Sequence, residues 1–174
     1  MFWLKFINKF IKVLRAGESP ELIAGGFTFG FFLGVTPFGT LQSMLVLLLA
    51  LLTKVNLAAV FFGTFLFSFV AYLFDPQFHD LGYFLLVDTG SLKSFWTSLY
   101  NMPVVPFTRF NNTVVLGSTL TALVLAVPVY LLTKRSIVAY RTRWSEKVEN
   151  ARWVKAFKAS FVFKWYVRVR DLEF

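Results

Sequence analysis

Between Glu21 and Lys54 the sequence carries no ionisable side chain, yet this stretch holds five glycines and a central proline. An uncharged run of that length must be hidden from water or placed in lipid, and soluble domains rarely hide so much chain without a charge. Gly26, Gly30 and Gly34 recur every four residues, so on a helix they share one smooth stripe. Small residues at this spacing let helix backbones approach closely in a bilayer, where packing drives association. The sequence therefore predicts an all-α integral membrane protein.

Composition agrees. Hydrophobic residues make up 57% and charged residues 16% of the 174 positions, against about 25% charged in a soluble domain. Cysteine is absent, which excludes disulfides, thiolate nucleophiles and cysteine metal sites. His79 is the one histidine. No metal and no cofactor are expected.

The net charge of +9 is concentrated at the two ends. Lys5, Lys9, Lys12 and Arg15 precede the first apolar segment, and Lys134, Arg135, Arg141 and Arg143 open a basic run after the last one. Basic blocks flanking apolar spans follow the positive-inside pattern. Both termini are expected to be cytoplasmic, with an even number of full crossings and no cleavable signal peptide. The partner this predicts is a phospholipid bilayer with an anionic cytoplasmic leaflet. A nucleic-acid partner is not expected, because the basic tail lies so close to a span.

Residues 1–16 read as an interfacial amphipathic helix, with the basic residues on one arc and Phe2, Phe6, Phe10 and Leu14 opposite. Ser19-Pro20-Glu21 then supplies an N-cap, a first-turn proline and an acid at the positive end of a helix. That helix is predicted over 20–35 and, after the Thr36-Pro37 break, a second over 37–53. Each is about 25 Å long at about 1.5 Å per residue, short for a hydrocarbon core of about 30 Å. Two architectures satisfy the charge pattern: two short spans, or a re-entrant hairpin with its tip inside the bilayer.

The next helix is predicted over 57–74, ended by Asp75-Pro76. Residues 88–112 read as a periplasmic interfacial segment, with Trp96 and Tyr100 on one side of a short helix and Met102 to Pro106 extended. Residues 113–133 form the clearest span, with Pro128 inside it and an Asn cap before it. Residues 134–174 make a basic amphipathic tail, in which Trp153, Phe157 and Phe161 repeat every four residues.

Ser19-Pro20-Glu21-Leu22-Ile23-Ala24, Gly30-Phe31-Phe32-Leu33-Gly34, Pro37-Phe38-Gly39, Lys54-Val55-Asn56 and Gly63-Thr64 occur in that order. Over residues 19–87 this series resembles a bacterial family of small inner-membrane proteins filed as a domain of unknown function. Relatives in that family are sometimes joined to glycosyltransferase domains. The resemblance implies the bacterial inner membrane and a link to the cell envelope, and lends no catalytic residues. One departure is clear: where the family often has Asn-Pro, this chain has Ser68-Phe69-Val70 and only later Asp75-Pro76, as in a divergent subgroup.

Gly26, Gly30 and Gly34 are expected to pack helices. Thr36, Pro37, Phe38, Gly39 and Thr40, with Gln42 and Ser43 behind them, form the candidate intramembrane turn or site, since broken helices in transporters expose helix-end dipoles to ligands. Asp75, His79 and Asp80 lack the further ligands a metal needs and read as a solvated loop. Arg109 is a candidate ion-pair partner for Asp75 or Asp88. No phosphate loop, metalloprotease motif or nucleophile elbow is present. The expected function is a non-enzymatic subunit or scaffold in cell-envelope lipid or glycan handling, with a membrane-protein partner or a second copy. The alternative is a small transporter with its substrate site at Thr36–Thr40.

Overall fold

The computed structural model describes residues 18–144. The surface helix expected over 1–16, with Lys5, Lys9, Lys12 and Arg15, lies outside them, as does the tail beyond residue 144. Among the described residues every regular element is helical. They are α1 (Pro20–Val35), α2 (Leu41–Leu52), α3 (Leu57–Tyr83), α4 (Lys93–Tyr100) and α5 (Thr113–Ala139). A π turn (Phe84–Asp88) and 3-10 turns (Gly90–Leu92, Val105–Thr108) join α3 to α5, and a second π turn (Tyr140–Trp144) comes after α5. Contacts divide the chain into a unit ending at Arg135 and another beginning at Ser136. Helices α1 to α4 and most of α5 belong to the first unit.

Local chemistry sets the helix starts. Ser19 Oγ accepts from the Leu22 N–H at 3.3 Å, with Pro20 in the first turn. Asn56 Oδ1 accepts from the Ala59 N–H at 2.7 Å to begin α3. Asn112 Oδ1 accepts from the Val115 N–H at 3.1 Å to begin α5. Each side chain satisfies a donor that the first helical turn leaves without a partner.

Four boundaries differ from expectation. α2 begins at Leu41, not Pro37, because Gly39 has φ +84 and Thr40 caps the helix in an extended conformation. α3 does not stop at Asp75-Pro76 but runs through Pro76 to Tyr83. Pro76 forfeits one intrahelical bond, while the packing of Phe78 and Gly82 on α5 holds the helix beyond it. α5 continues past Thr133, and its Lys134 reaches Glu21 of α1. Met102 to Pro106 is not extended: Phe107 N–H donates to Val104 at 3.1 Å and closes a 3-10 turn.

Glycine determines how the helices assemble. Gly26 lies against Asn56 and Ala59, Gly30 against Val60, Gly63 and Thr64, and Gly34 against Thr64, Phe67 and Ser68. Both numbers rise together, so α1 and α3 run parallel. A β-carbon at Gly34 would stand 2.6 Å from the Thr64 carbonyl oxygen and 2.9 Å from Phe67 Cβ, a clash that only glycine avoids. On the far half of α3, Gly82 meets the Thr113 backbone and Gly117 of α5 meets the Phe78 backbone. There the numbers run oppositely, so α3 and α5 are antiparallel.

Phe31, Phe32 and Val35 of α1, Ala71 and Phe78 of α3, and Ala122 of α5 fill the core between these contacts. Phe67 stands between Phe27 and Phe31, with ring centroids at 5.4 and 4.8 Å in edge-on geometry. α2 docks more lightly, through Ala50 against Leu33 and Val60. Hydroxyls are satisfied within their own helices: Thr28 donates to Ala24, Thr64 to Val60, Ser68 to Thr64 and Thr121 to Gly117.

Two helical stretches, Leu57–Asp88 and Thr113–Thr142, are long and apolar enough to cross a membrane by length and composition. Only 22% and 28% of their most apolar 18-residue windows is buried within the chain. α1 and α2 are shorter apolar helices.

Candidate functional site

The break between α1 and α2 gathers the polar groups of the hairpin. α1 is capped by Thr36, whose N–H and Oγ1 both donate to the Phe32 carbonyl, at 3.0 and 2.8 Å. Pro37 prevents the helix from continuing through that residue. The chain then turns outward: Phe38 is 77% exposed, and Gly39 has open space around it.

Thr40 and Ser43 close the turn reciprocally. The Ser43 N–H donates to Thr40 Oγ1 at 3.4 Å, and the Thr40 N–H donates to Ser43 Oγ at 3.2 Å. Both residues are buried, at 1% and 2% exposure. The hydroxyls occupy each other at 3.1 Å, and Ser43 Oγ also reaches the Thr40 carbonyl at 2.8 Å. This is a capping box with serine in place of the usual acid or amide. Thr36, Thr40 and Ser43 thus spend their polar capacity on the backbone of the break itself.

Gln42 behaves differently. Its Nε2 donates to Thr119 Oγ1 of α5 at 3.2 Å, joining hairpin to span across 77 positions of sequence. Its Oε1 is buried and has no hydrogen-bond partner among the described residues. No spacing in the chain singles out Thr119. The pairing depends on α5 returning antiparallel beside α3, a fact of tertiary packing alone.

The remaining candidates divide. Gly26, Gly30 and Gly34 all lie at the α1–α3 contact. Asp75, His79 and Asp80, expected on a loop, are exposed on the helical surface of α3. His79 Nδ1 sits 2.7 Å from Thr113 Oγ1. No group of three metal-ligating side chains forms among the described residues. Arg109 is brought to neither Asp75 nor Asp88. It instead ends the 3-10 turn in a left-handed conformation, φ 55, with its N–H donating to Pro106.

The end of the molecule opposite the hairpin break has its own polar knot. Asn56, 8% exposed, donates from Nδ2 to Glu18 Oε2 at 2.5 Å, and its N–H donates to the Leu22 carbonyl at 3.1 Å. Beside it Lys134 Nζ is 2.9 Å from Glu21 Oε1. Asn56 belongs to the motif series that carries the resemblance, and the structure gives it a physical role in tying α1 to the start of α3.

Residues 4–145 match the family model described as "Uncharacterized protein conserved in bacteria (DUF2062)". The chain belongs to this family. The match extends well beyond the 19–87 stretch that holds the motif series, and takes in α4 and α5. A bacterial relative, an "Uncharacterized protein" of Treponema pallidum (strain Nichols), is 25% identical over 148 residues, 85% of this chain and 91% of the relative. No solved structure matches.

Proposed function

We propose that this member of the family is a multi-pass protein of the bacterial inner membrane, acting as a non-enzymatic subunit or scaffold. One observation carries the reading: large apolar side chains point outward along α2, α3 and α5 around a core sealed by glycine contacts. Leu48 and Leu52 of α2, Phe69 and Leu73 of α3, and Val124 and Val127 of α5 are 50% to 73% exposed. A soluble helix of this length would bury an apolar stripe and expose a polar face. An apolar exterior of this extent marks contact with lipid or with another protein. The self-satisfied hydroxyls fit the same solvent, since lipid offers no partner for a free donor.

The link to envelope lipid or glycan handling rests on the resemblance, through relatives joined to glycosyltransferase domains. Its test is purification in mild detergent, then lipid and partner analysis. A monomer with neither bound lipid nor a stable protein partner would remove the basis for a scaffold.

Gln42 favours a second reading, a small transporter with its substrate site at the hairpin break. A buried amide atom without a partner is costly and could be completed by a polar ligand. Phe38→Cys in this cysteine-free chain separates the readings, with Ser94→Cys on the exposed polar arc of α4 as control. Labelling by an impermeant maleimide as fast as the control favours a packed bundle with an exposed turn. Protection that disappears on denaturation favours a tip buried in the bilayer and brings the transporter forward.

A further inference from the structure

The excursion between α3 and α5 leaves and returns at one place, where Gly82 meets Thr113 and His79 bonds to it. Within it α4 is divided lengthwise. At about 100° per residue, Phe95, Trp96, Leu99 and Tyr100 fall on one arc and Lys93, Ser94, Thr97 and Ser98 on the other. Trp96 at the centre of the apolar arc is fixed: Nε1 donates to the Leu85 carbonyl at 2.8 Å, and its ring stacks on Phe110 at 5.6 Å. Phe110 is itself buried.

The flanks of that apolar face are not covered. Phe95 and Tyr100 are 51% and 55% exposed, and the turn after α4 adds Phe107 at 68%. A water-facing excursion would gain nothing by presenting these rings.

Resting on the membrane reading, we infer that this face, with Phe107 at its tip, anchors the excursion in the headgroup–acyl boundary. The leaflet is the one opposite the Asn56–Lys134 end. Three features favour lipid over a protein partner. The apolar surface continues into exposed Phe84 and Val87 of the π turn that follows α3. Lys93 and Arg109 bracket the apolar stretch, with charges complementary to lipid phosphates. Tyr100, exposed beside the Trp96 ring that packs on Phe110, is of a residue type that settles at this depth. The Val105–Thr108 turn also touches α2, so the depth of the anchor sets the depth of the hairpin break.

The test labels Phe107→Cys, Ser94→Cys and Phe69→Cys of the full chain with an environment-sensitive fluorophore. The proteins are reconstituted in phosphatidylcholine–phosphatidylglycerol vesicles and quenched by lipid spin labels or aqueous iodide. The anchor predicts that shallow spin labels quench Phe107 several-fold more than Ser94, with iodide showing the reverse order. Equal iodide access at Phe107 and Ser94, with Phe69 quenched by lipid, overturns the anchor and leaves the membrane reading intact. Protection of Phe107 from both quenchers overturns it in favour of a protein contact. A Phe69 probe that lipid does not quench overturns the membrane reading, and the anchor with it.

Discussion

Gly30 of α1 and Gly63 of α3 face each other backbone to backbone: a β-carbon on Gly30 would stand 2.9 Å from Gly63 Cα, and one on Gly63 would stand 3.2 Å from Gly30 Cα. The neighbours at this contact are backbone, which cannot rotate away. Gly30→Ala is therefore expected to separate the helices and cost about 1–3 kcal/mol as overpacking, and Gly30→Leu to prevent folding. Gly90→Ala is the control, since none of the described residues lies within 4 Å of a β-carbon there, and it should stay within about 0.5 kcal/mol of the parent. Unfolding in detergent measures both. Equal midpoints for Gly30→Ala and Gly90→Ala would show that α1 and α3 approach less closely than this.

Gly39 tests a different physical term. It has open space around it but φ +84, so the penalty for a side chain is conformational and not steric. Gly39→Ala should cost about 1–2 kcal/mol, and Gly39→Asn less, because asparagine tolerates the left-handed region. If the two substitutions are equally harmful in the same unfolding measurement, something beyond backbone preference acts at the break.

The glycines also separate what is legible in the sequence from what is not. The spacing of Gly26, Gly30 and Gly34 identifies a packing stripe, because periodicity depends only on local helix geometry. It does not identify Gly63, Gly82 and Gly117 as the facing surfaces, because register between helices is a tertiary property. Capping signals locate the starts of α1 and α5 well. At α2 two signals compete, and proline at position 37 looks like a helix start although the Thr40–Ser43 box and the left-handed Gly39 displace it. Asp75-Pro76 looks like a stop for the same kind of reason, since a local rule knows nothing of Phe78 packing on Gly117. The pairing of Gln42 with Thr119 is beyond any pattern in the chain.

Asn56 offers a test at the opposite end. Asn56→Asp keeps the oxygen that accepts from Ala59 but loses the Nδ2 donor to Glu18, leaving two carboxylates face to face. The expected loss is about 1–3 kcal/mol. Adding Glu18→Gln should restore most of it. By contrast Glu21→Gln, which breaks an exposed ion pair with Lys134, should have a smaller effect that salt abolishes. Thermal unfolding across ionic strength checks both, and an Asn56→Asp penalty that Glu18→Gln leaves untouched would mean that the two side chains do not meet.

Gln42 and Thr119 join the hairpin to α5 by a hydrogen bond, and its asymmetry yields a prediction of sign. Thr119→Val leaves the half-buried Gln42 amide with no partner among the described residues, since its buried Oε1 already lacks one there. That should cost about 1–3 kcal/mol. Gln42→Leu removes the amide and with it the unpaired atom, so its cost should be smaller. In the double variant no polar group is stranded, and stability should recover relative to Thr119→Val alone, a coupling that a double-mutant cycle reads directly. Strictly additive losses would exclude a direct bond between these side chains. The cycle also bears on transport. If Gln42 serves a substrate, the double variant folds well yet carries no flux in proteoliposomes, whereas a packing role leaves flux, where there is any, to track stability.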